Sequence, residues 1–287
     1  MIEQMQHTRK KAAFRKRAAF LLALAAVLCL PLATQAELAG ERIEGVRQIE
    51  MLPGWKEADG GRMAALRIRL EPGWKTYWRA PGDAGIPPSF DWKGSQNVRD
   101  VKIHWPRPEV VRSGGMRSVV YHGDVVLPIE ITPEDPGKPI RLKAKAELGI
   151  CKDICIPASV NFDMEIAPST STSEPMIEKA LAAQPMSAQA AGVRGVSCTV
   201  EPISDGLRVT SRIDMPSAGG EEIAVMEASD PSIWVSEGET KREGNTLIAT
   251  AEMVPPENAP FELDRSGVRI TVLGKEKAVD IKGCVGG

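Results

Sequence analysis

Apolar or small side chains alternate with charged ones along much of this chain. Met63-Ala-Ala-Leu-Arg-Ile-Arg-Leu70 and Arg141-Leu-Lys-Ala-Lys-Ala-Glu-Leu148 are the clearest cases, and a repeat of two is the signature of a half-buried strand. Strand-like runs recur from about Arg42 to Ile166: Met63–Leu70, Val101–Trp105, Val119–Ile131, Ile140–Leu148 and Val160–Ile166. Pro72-Gly73, Pro81-Gly82, Gly94-Ser95 and Pro136-Gly137 supply turn chemistry between them. Many short strands without a long amphipathic helix predict a β-sandwich of roughly immunoglobulin size.

The pattern then breaks. Pro168-Ser-Thr-Ser-Thr-Ser-Glu-Pro175 is polar and of low complexity, the composition of a linker. Met176 to Ala191 has room for one short helix around Glu178-Lys-Ala-Leu-Ala-Ala. From Val193 the strand pattern resumes, with runs at Val196–Pro202, Leu207–Ile213, Glu222–Glu227, Thr246–Met253 and Val268–Leu273. The expected fold is all-β: two immunoglobulin-like β-sandwich domains, residues 37–167 and 193–287, joined by a polar linker over residues 168–192.

The N-terminal segment changes the compartment. Arg9 to Arg17 hold six basic side chains, an apolar run from Ala18 to about Leu32 follows, and Thr34-Gln35-Ala36 supplies small residues. That is the layout of a signal peptide, residues 1–36, cleaved after about Ala36. The run is shorter than the ~20 residues of a spanning helix, so no stable membrane insertion of the mature chain is expected. Cleavage would leave 30 basic and 37 acidic residues, a net charge of −7. Such a balance, with no basic cluster, argues against nucleic acid or an anionic membrane as partner. The expected location is the periplasm, where disulfides form and persist.

Cys29 falls within the signal, and four cysteines remain. Cys151 and Cys155 sit in Leu148-Gly-Ile-Cys-Lys-Asp-Ile-Cys-Ile-Pro157, between two expected strands. Three intervening residues place both sulfurs at facing strand ends. In the chain-entropy model so short a loop contributes only ~2 kcal/mol. A weak staple of this kind is readily reduced if strained or exposed, which favours exchange chemistry over a structural role. A plain hairpin bridge is the simpler alternative. A Cu(I) site on the same two thiolates, with Met164 or His122 as further ligands, is another, which would make the chain a periplasmic copper-binding protein. Zinc would want four protein ligands, and no second close cysteine pair supplies them. Cys198 and Cys284 lie near the ends of the second domain; joining them closes a loop of about 87 residues, worth ~4.6 kcal/mol in the same model. They are expected as a structural disulfide.

Other chemistry is sparse. Beyond the signal only His104 and His122 remain, with no Gly-x-Ser-x-Gly or His-Glu-x-x-His pattern and no phosphate-cradling glycine loop, so no cofactor and no metal is expected. Most tryptophans suit core packing, while Trp74 and Trp78 are candidates for an exposed edge.

Three blocks carry a family resemblance. Gly73-Trp-Lys-Thr-Tyr-Trp-Arg-Ala-Pro-Gly-Asp-Ala-Gly-Ile-Pro-Pro88 with Ser89-Phe-Asp-Trp-Lys-Gly-Ser, then Tyr121-His-Gly-Asp-Val-Val-Leu-Pro128, then Gly149-Ile-Cys-Lys-Asp-Ile-Cys-Ile-Pro157, resemble the N-terminal periplasmic domain of DsbD and ScsB-type thiol:disulfide interchange proteins. The resemblance covers about residues 60–167 and implies an immunoglobulin-like sandwich whose cysteine pair passes electrons to thioredoxin-like periplasmic oxidoreductases. It implies that Cys155 forms the mixed disulfide and Cys151 resolves it. A shielding loop in relatives maps to about Arg107–Gly115, without the aromatic cap residue of the best-known members. Full-length relatives also carry a membrane electron-conducting domain and a terminal thioredoxin domain, and neither occurs in this sequence, so a separate membrane electron donor is implied.

Overall fold

The computed structural model describes residues 43–82, 85–171, 173–258 and 261–286. The expected signal peptide, with Cys29, lies outside them. Ten strands build the first sandwich: β1 (Val46–Lys56), β2 (Arg62–Leu70), β3 (Lys75–Tyr77), β4 (Ser89–Asp91), β5 (Asp100–Ile103), β6 (Glu109–Ser113), β7 (Met116–His122), β8 (Asp124–Thr132), β9 (Ile140–Cys151) and β10 (Cys155–Ile166). One sheet has the order β1-β2-β8-β5; the other runs β10-β9-β3-β7-β6, with β4 also on β9. All their pairings are antiparallel.

Alternation decides which side chains the sandwich encloses. On β2, Ala64, Leu66, Ile68 and Leu70 enter a core shared with Leu142, Leu148 and Ile150 of β9 and with Trp78. The single run expected over Val119–Ile131 is two strands in different sheets. Gly123, with φ +69°, breaks it, because a side chain is strained in that conformation.

The other face of β2 is covered as well. Helix α1 (Pro175–Ala182) follows the first sandwich, and its Ile177 and Ala180 pack with Met63, Ala65 and Val126. Where the outer face carries Arg67 and Arg69 instead, these bond to Asp124 and Gln48 at the surface. The polar stretch 168–192 is therefore not free chain throughout. Its helix docks on one sandwich, and β11 (Met186–Ser187) joins a sheet of the next.

The second sandwich continues with β12 (Gly195–Pro202), β13 (Leu207–Asp214), β14 (Ile223–Glu227), β15 (Trp234–Val235), β16 (Glu239–Glu243), β17 (Thr246–Val254), β18 (Arg269–Leu273), β19 (Ala278–Lys282) and β20 (Val285–Gly286). Its sheets are β11-β19-β18-β14 and β15-β17-β13-β12-β20, with β16 also on β17. Among the described residues, only the short β11 and β20 pair in parallel. Two sandwiches and an all-β architecture are thus what the alternation predicted.

One sheet face holds the two sandwiches together. Along β14 and β18, Ala224, Met226, Ile270 and Val272 fill the second core, while Val225 and Leu273, with Ala278 of β19, join the apolar cluster of the first sandwich. Arg79 crosses the same seam. Its guanidinium lies 3.8 Å over the Trp78 ring, donates to both carboxylate oxygens of Glu227 at 2.9 Å, and donates to Thr271 Oγ1 at 3.0 Å. Burial pulls its pKa below the usual arginine value, opposed by the charge of Glu227.

Docking of α1 gives a direct test. Ile177→Ala should lower the unfolding free energy by roughly 2–4 kcal/mol, read by denaturant titration. A helix lying free in a linker would leave the midpoint unchanged.

Candidate active site

The site is assembled on the outer face of the β10-β9-β3-β7-β6 sheet. Cys155 pairs with Cys151 across the β9–β10 hairpin, Lys75 of β3 pairs with Cys151 on one side, and with His122 of β7 on the other. Directly paired residues of antiparallel strands project to the same face, so all four side chains share it. Their neighbours Ile150, Thr76 and Tyr121 point the other way, into the sandwich.

Cys151 and Cys155 form a disulfide with Cα atoms 4.1 Å apart. The turn Lys152-Asp153-Ile154 closes with the Lys152 amide donating to the Ile154 carbonyl at 3.1 Å. The two sulfurs are not equivalent. Cys151 is 1% exposed and belongs to a small apolar cluster with Tyr77 and Val120, covered by Ile86 and Val111. Cys155 is exposed, and beside it Ile154 is 69% exposed.

Tyr77 is the polar member of that cluster. Its hydroxyl lies 3.2 Å from Cys155 Sγ and 3.3 Å from Cys151 Sγ. Neither sulfur of a disulfide carries a proton, so the hydroxyl is the donor. Burial raises the Tyr77 pKa above that of an ordinary phenol, which keeps the proton in place at neutral pH. Gly149 makes room for the ring: a Cβ there would lie 2.9 Å from Tyr77 Cδ2 and 2.8 Å from Ile86 Cβ.

The segment expected as a shielding loop, Arg107–Gly115, is largely strand β6, the edge of the sheet. Its Val111 packs against the cluster of Tyr77, Val120 and Cys151 from the β7 side. Charge around the pair is mixed, with Lys152 and Asp153 in the turn and His122 Nδ1 3.2 Å from Glu109 Oε2.

Several expectations need correction. Trp78 is fully buried in the core and Trp74 half-buried, because Trp78 alternates with Tyr77 and so faces inward. Met164 lies nine residues along β10 from Cys155, about 30 Å of strand, so it cannot join a metal site there. His122 is two strands away from Cys151, about 10 Å. Among the described residues no group of three or more His, Cys, Asp or Glu side chains is placed to hold a metal ion. Tyr77, Ile86 and Val111 were not singled out from the sequence. Tyr77 lies inside a quoted block, but only the β3–β9 register brings it to the sulfurs.

The second pair is buried within its sandwich. Cys198 of β12 and Cys284, just before β20, form a disulfide with Cα atoms 5.7 Å apart. The Ser211 hydroxyl lies 3.1 Å from Cys198 Sγ, and Arg265 donates to the Cys198 carbonyl.

With this geometry in hand, comparison with known proteins places the first sandwich. Residues 48–166 match the family described as "Thiol:disulfide interchange protein DsbD, N-terminal". The crystal structure of the N-terminal periplasmic domain of ScsB from Proteus mirabilis matches with a TM-score of 0.65 at 21% identity, covering 87% of this chain and 96% of that one. At that identity the likeness is one of fold, and its coverage takes in both sandwiches. No curated protein matches the chain in sequence. The matched segment holds all of β2 to β10, including both cysteines of the outer face, and it is over these residues that the chain is similar to the DsbD N-terminal family.

Proposed function

We propose that this protein is a periplasmic thiol–disulfide exchange protein that passes electrons between thioredoxin-like partners through Cys151 and Cys155. The observation that carries the proposal is the inequality of the two sulfurs: one open to attack, the other buried beside a hydroxyl donor.

Thiol exchange proceeds by in-line attack of a thiolate on one sulfur, with the other sulfur leaving. A partner thiolate reaches Cys155 Sγ and forms the mixed disulfide, and the Cys151–Cys155 bond breaks with Cys151 leaving as thiolate. A second thiol of the partner then attacks its own sulfur in the mixed disulfide and releases Cys155. The partner dithiol becomes a disulfide, and the pair gains two electrons and two protons. In the reverse direction the Cys155 thiolate attacks an oxidised client, and Cys151 then attacks Cys155 Sγ and frees the reduced client. Tyr77 serves both directions by donating to whichever sulfur carries charge, and a hydrogen bond to a charged group is about twice as strong as a neutral one. The electron source is proposed as a separate membrane donor. Among the described residues no helix is long and apolar enough to cross a membrane.

Cys198–Cys284 is proposed as structural. Both residues are buried, and the bond ties β12 to the chain end that precedes β20. No observation favours the copper reading, since the extra ligands it needs are distant from the sulfurs.

Redox titration with mass-spectrometric thiol trapping should give the Cys151/Cys155 pair a potential above about −300 mV while Cys198–Cys284 stays oxidised. A value well below that would mean a structural bridge and end the exchange proposal. Incubated with an oxidised thioredoxin-like protein, Cys151→Ala should accumulate a mixed disulfide through Cys155. Cys155→Ala should accumulate at least tenfold less, its remaining sulfur being buried; equal trapping by both variants would contradict the assigned roles. Tyr77→Phe should keep the fold and slow reduction of the pair by a partner dithiol roughly tenfold or more, the loss of a hydrogen bond to a charged group costing about 1.5–3 kcal/mol. An unchanged rate would remove Tyr77 from the mechanism.

A further inference from the structure

Strand β10 ends its sheet: it pairs with β9 and, among the described residues, with no other strand. Register decides which of its backbone groups are used on β9. Antiparallel pairs alternate between hydrogen-bonded ones, with Cα atoms about 5.5 Å apart, and non-bonded ones about 4.5 Å apart. Cys151 and Cys155 are 4.1 Å apart, so theirs is a non-bonded pair whose amides and carbonyls point away from each other. Arg141, an even number of residues before Cys151 on β9, agrees. It exchanges both backbone bonds with Gln96, at 2.9 and 3.2 Å, on the side away from β10. Cys155, Pro157, Ser159 and Asn161 therefore turn their backbone groups to the open edge, where a proline is tolerated because no amide is needed. Among the described residues nothing bonds to those outward groups.

An open edge is a template for another strand, and proteins commonly guard theirs with charged side chains. The other two edges of comparable exposure in this sandwich follow that rule: β5 carries Asp100 and Lys102, and β6 carries Glu109 and Arg112. The start of β10 does not. Cys-Ile-Pro-Ala-Ser-Val-Asn-Phe162 holds no charge, and Asp163 and Glu165 come only after it. This unguarded stretch begins at the exposed sulfur itself, and Ile154, 69% exposed, stands next to it.

We propose that the open edge of β10 is the docking strip for the thioredoxin-like partner: an extended partner segment beside the attacking thiol adds to β10 as a further strand, bonding to the backbone of Cys155 and Ser159. Strand addition draws its affinity from main-chain bonds, so one edge serves both an electron donor and a client whose side chains differ. The outward amide and carbonyl of Cys155 belong to the attacked residue. A strand bonded to them therefore fixes the partner thiol in relation to Cys155 Sγ. The inference rests on the exchange proposal for the identity of the occupant.

Ser159→Pro tests the edge directly. It removes an outward amide and sets a ring on the edge, while every bond between β9 and β10 stays. Ser159→Ala is its control, since it loses the hydroxyl bond to Glu147 and keeps the amide. Reduction of Cys151–Cys155 is timed with reduced thioredoxin and with dithiothreitol, by thiol trapping and mass spectrometry. Ser159→Pro should slow thioredoxin at least fivefold and dithiothreitol less than twofold, and Ser159→Ala should change neither. An unchanged thioredoxin rate in Ser159→Pro overturns the inference. Should the proline slow both reductants alike, amide exchange decides. In Cys151→Ala, Cys155 is joined to a single-cysteine thioredoxin first activated with Ellman's reagent, whose thionitrobenzoate leaves. The Cys155 amide should then exchange at least tenfold more slowly than in the mixed disulfide with 2-mercaptoethanol; equal rates overturn the inference. A dimer of the protein, seen by sedimentation and dissolved by Ser159→Pro, gives the edge to a second copy and overturns it too. If dithiothreitol reduces the unmutated pair and thioredoxin does not, the exchange proposal itself ends, and this occupant with it.

Discussion

Twelve successive pairings between β9 and β10, from Ile166 opposite Ile140 to Cys155 opposite Cys151, determine where the two sulfurs lie. The register is held by what it buries. Leu142, Ala146, Leu148 and Ile150 all enter the first core from one face of β9. A slip of one residue would expose that whole set and carry Cys151 inward. The hydrophobic core thus sets the facing of a bond that it does not itself contain.

From that constraint the rest of the site follows. With Cys151 on the outer face, β3 between β9 and β7 presents Tyr77 to the same side. Gly149 leaves the space its ring occupies, and Ile86 lies against the same ring and glycine. Burial on one side and openness on the other turn two chemically identical thiols into a reachable sulfur and a sheltered one. The proposed exchange, in which one sulfur accepts an attack and the other leaves, needs that division.

The second sandwich is joined to the first by an apolar patch and a set of arginines. Leu273 and Ala278 extend the first core, which makes the seam more than a row of surface ion pairs, each of which would contribute little. Arg79 adds planar stacking on Trp78 to a two-pronged bond with Glu227, a geometry that lysine cannot reproduce. The edge strand β6 faces this seam, so its neighbour across a cleft is the second sandwich and not open solvent alone.

Local pattern was enough to determine a good deal. The alternation in Arg62–Leu70 and Ile140–Ile166, and the runs in the second half, mark β2, β9, β10, β12, β13, β17 and β18, because a strand half in a core must repeat every two residues. The nearness of Cys151 and Cys155 was legible for the same reason, since a three-residue turn leaves them no room to part. What needed the tertiary structure was everything that depends on partners distant in sequence. Gly123 divides an unbroken apolar run between two sheets. The short β3 and β6 are strands by virtue of their neighbours. Ile177 docks a helix from a stretch whose polar start reads as linker. Tyr77 reaches the sulfurs and Trp78 turns away from them through a register between strands more than seventy residues apart. Periodicity reports which way side chains face along one strand, whereas burial and contact are set by the strands beside it, and these are chosen by the packing of the whole chain.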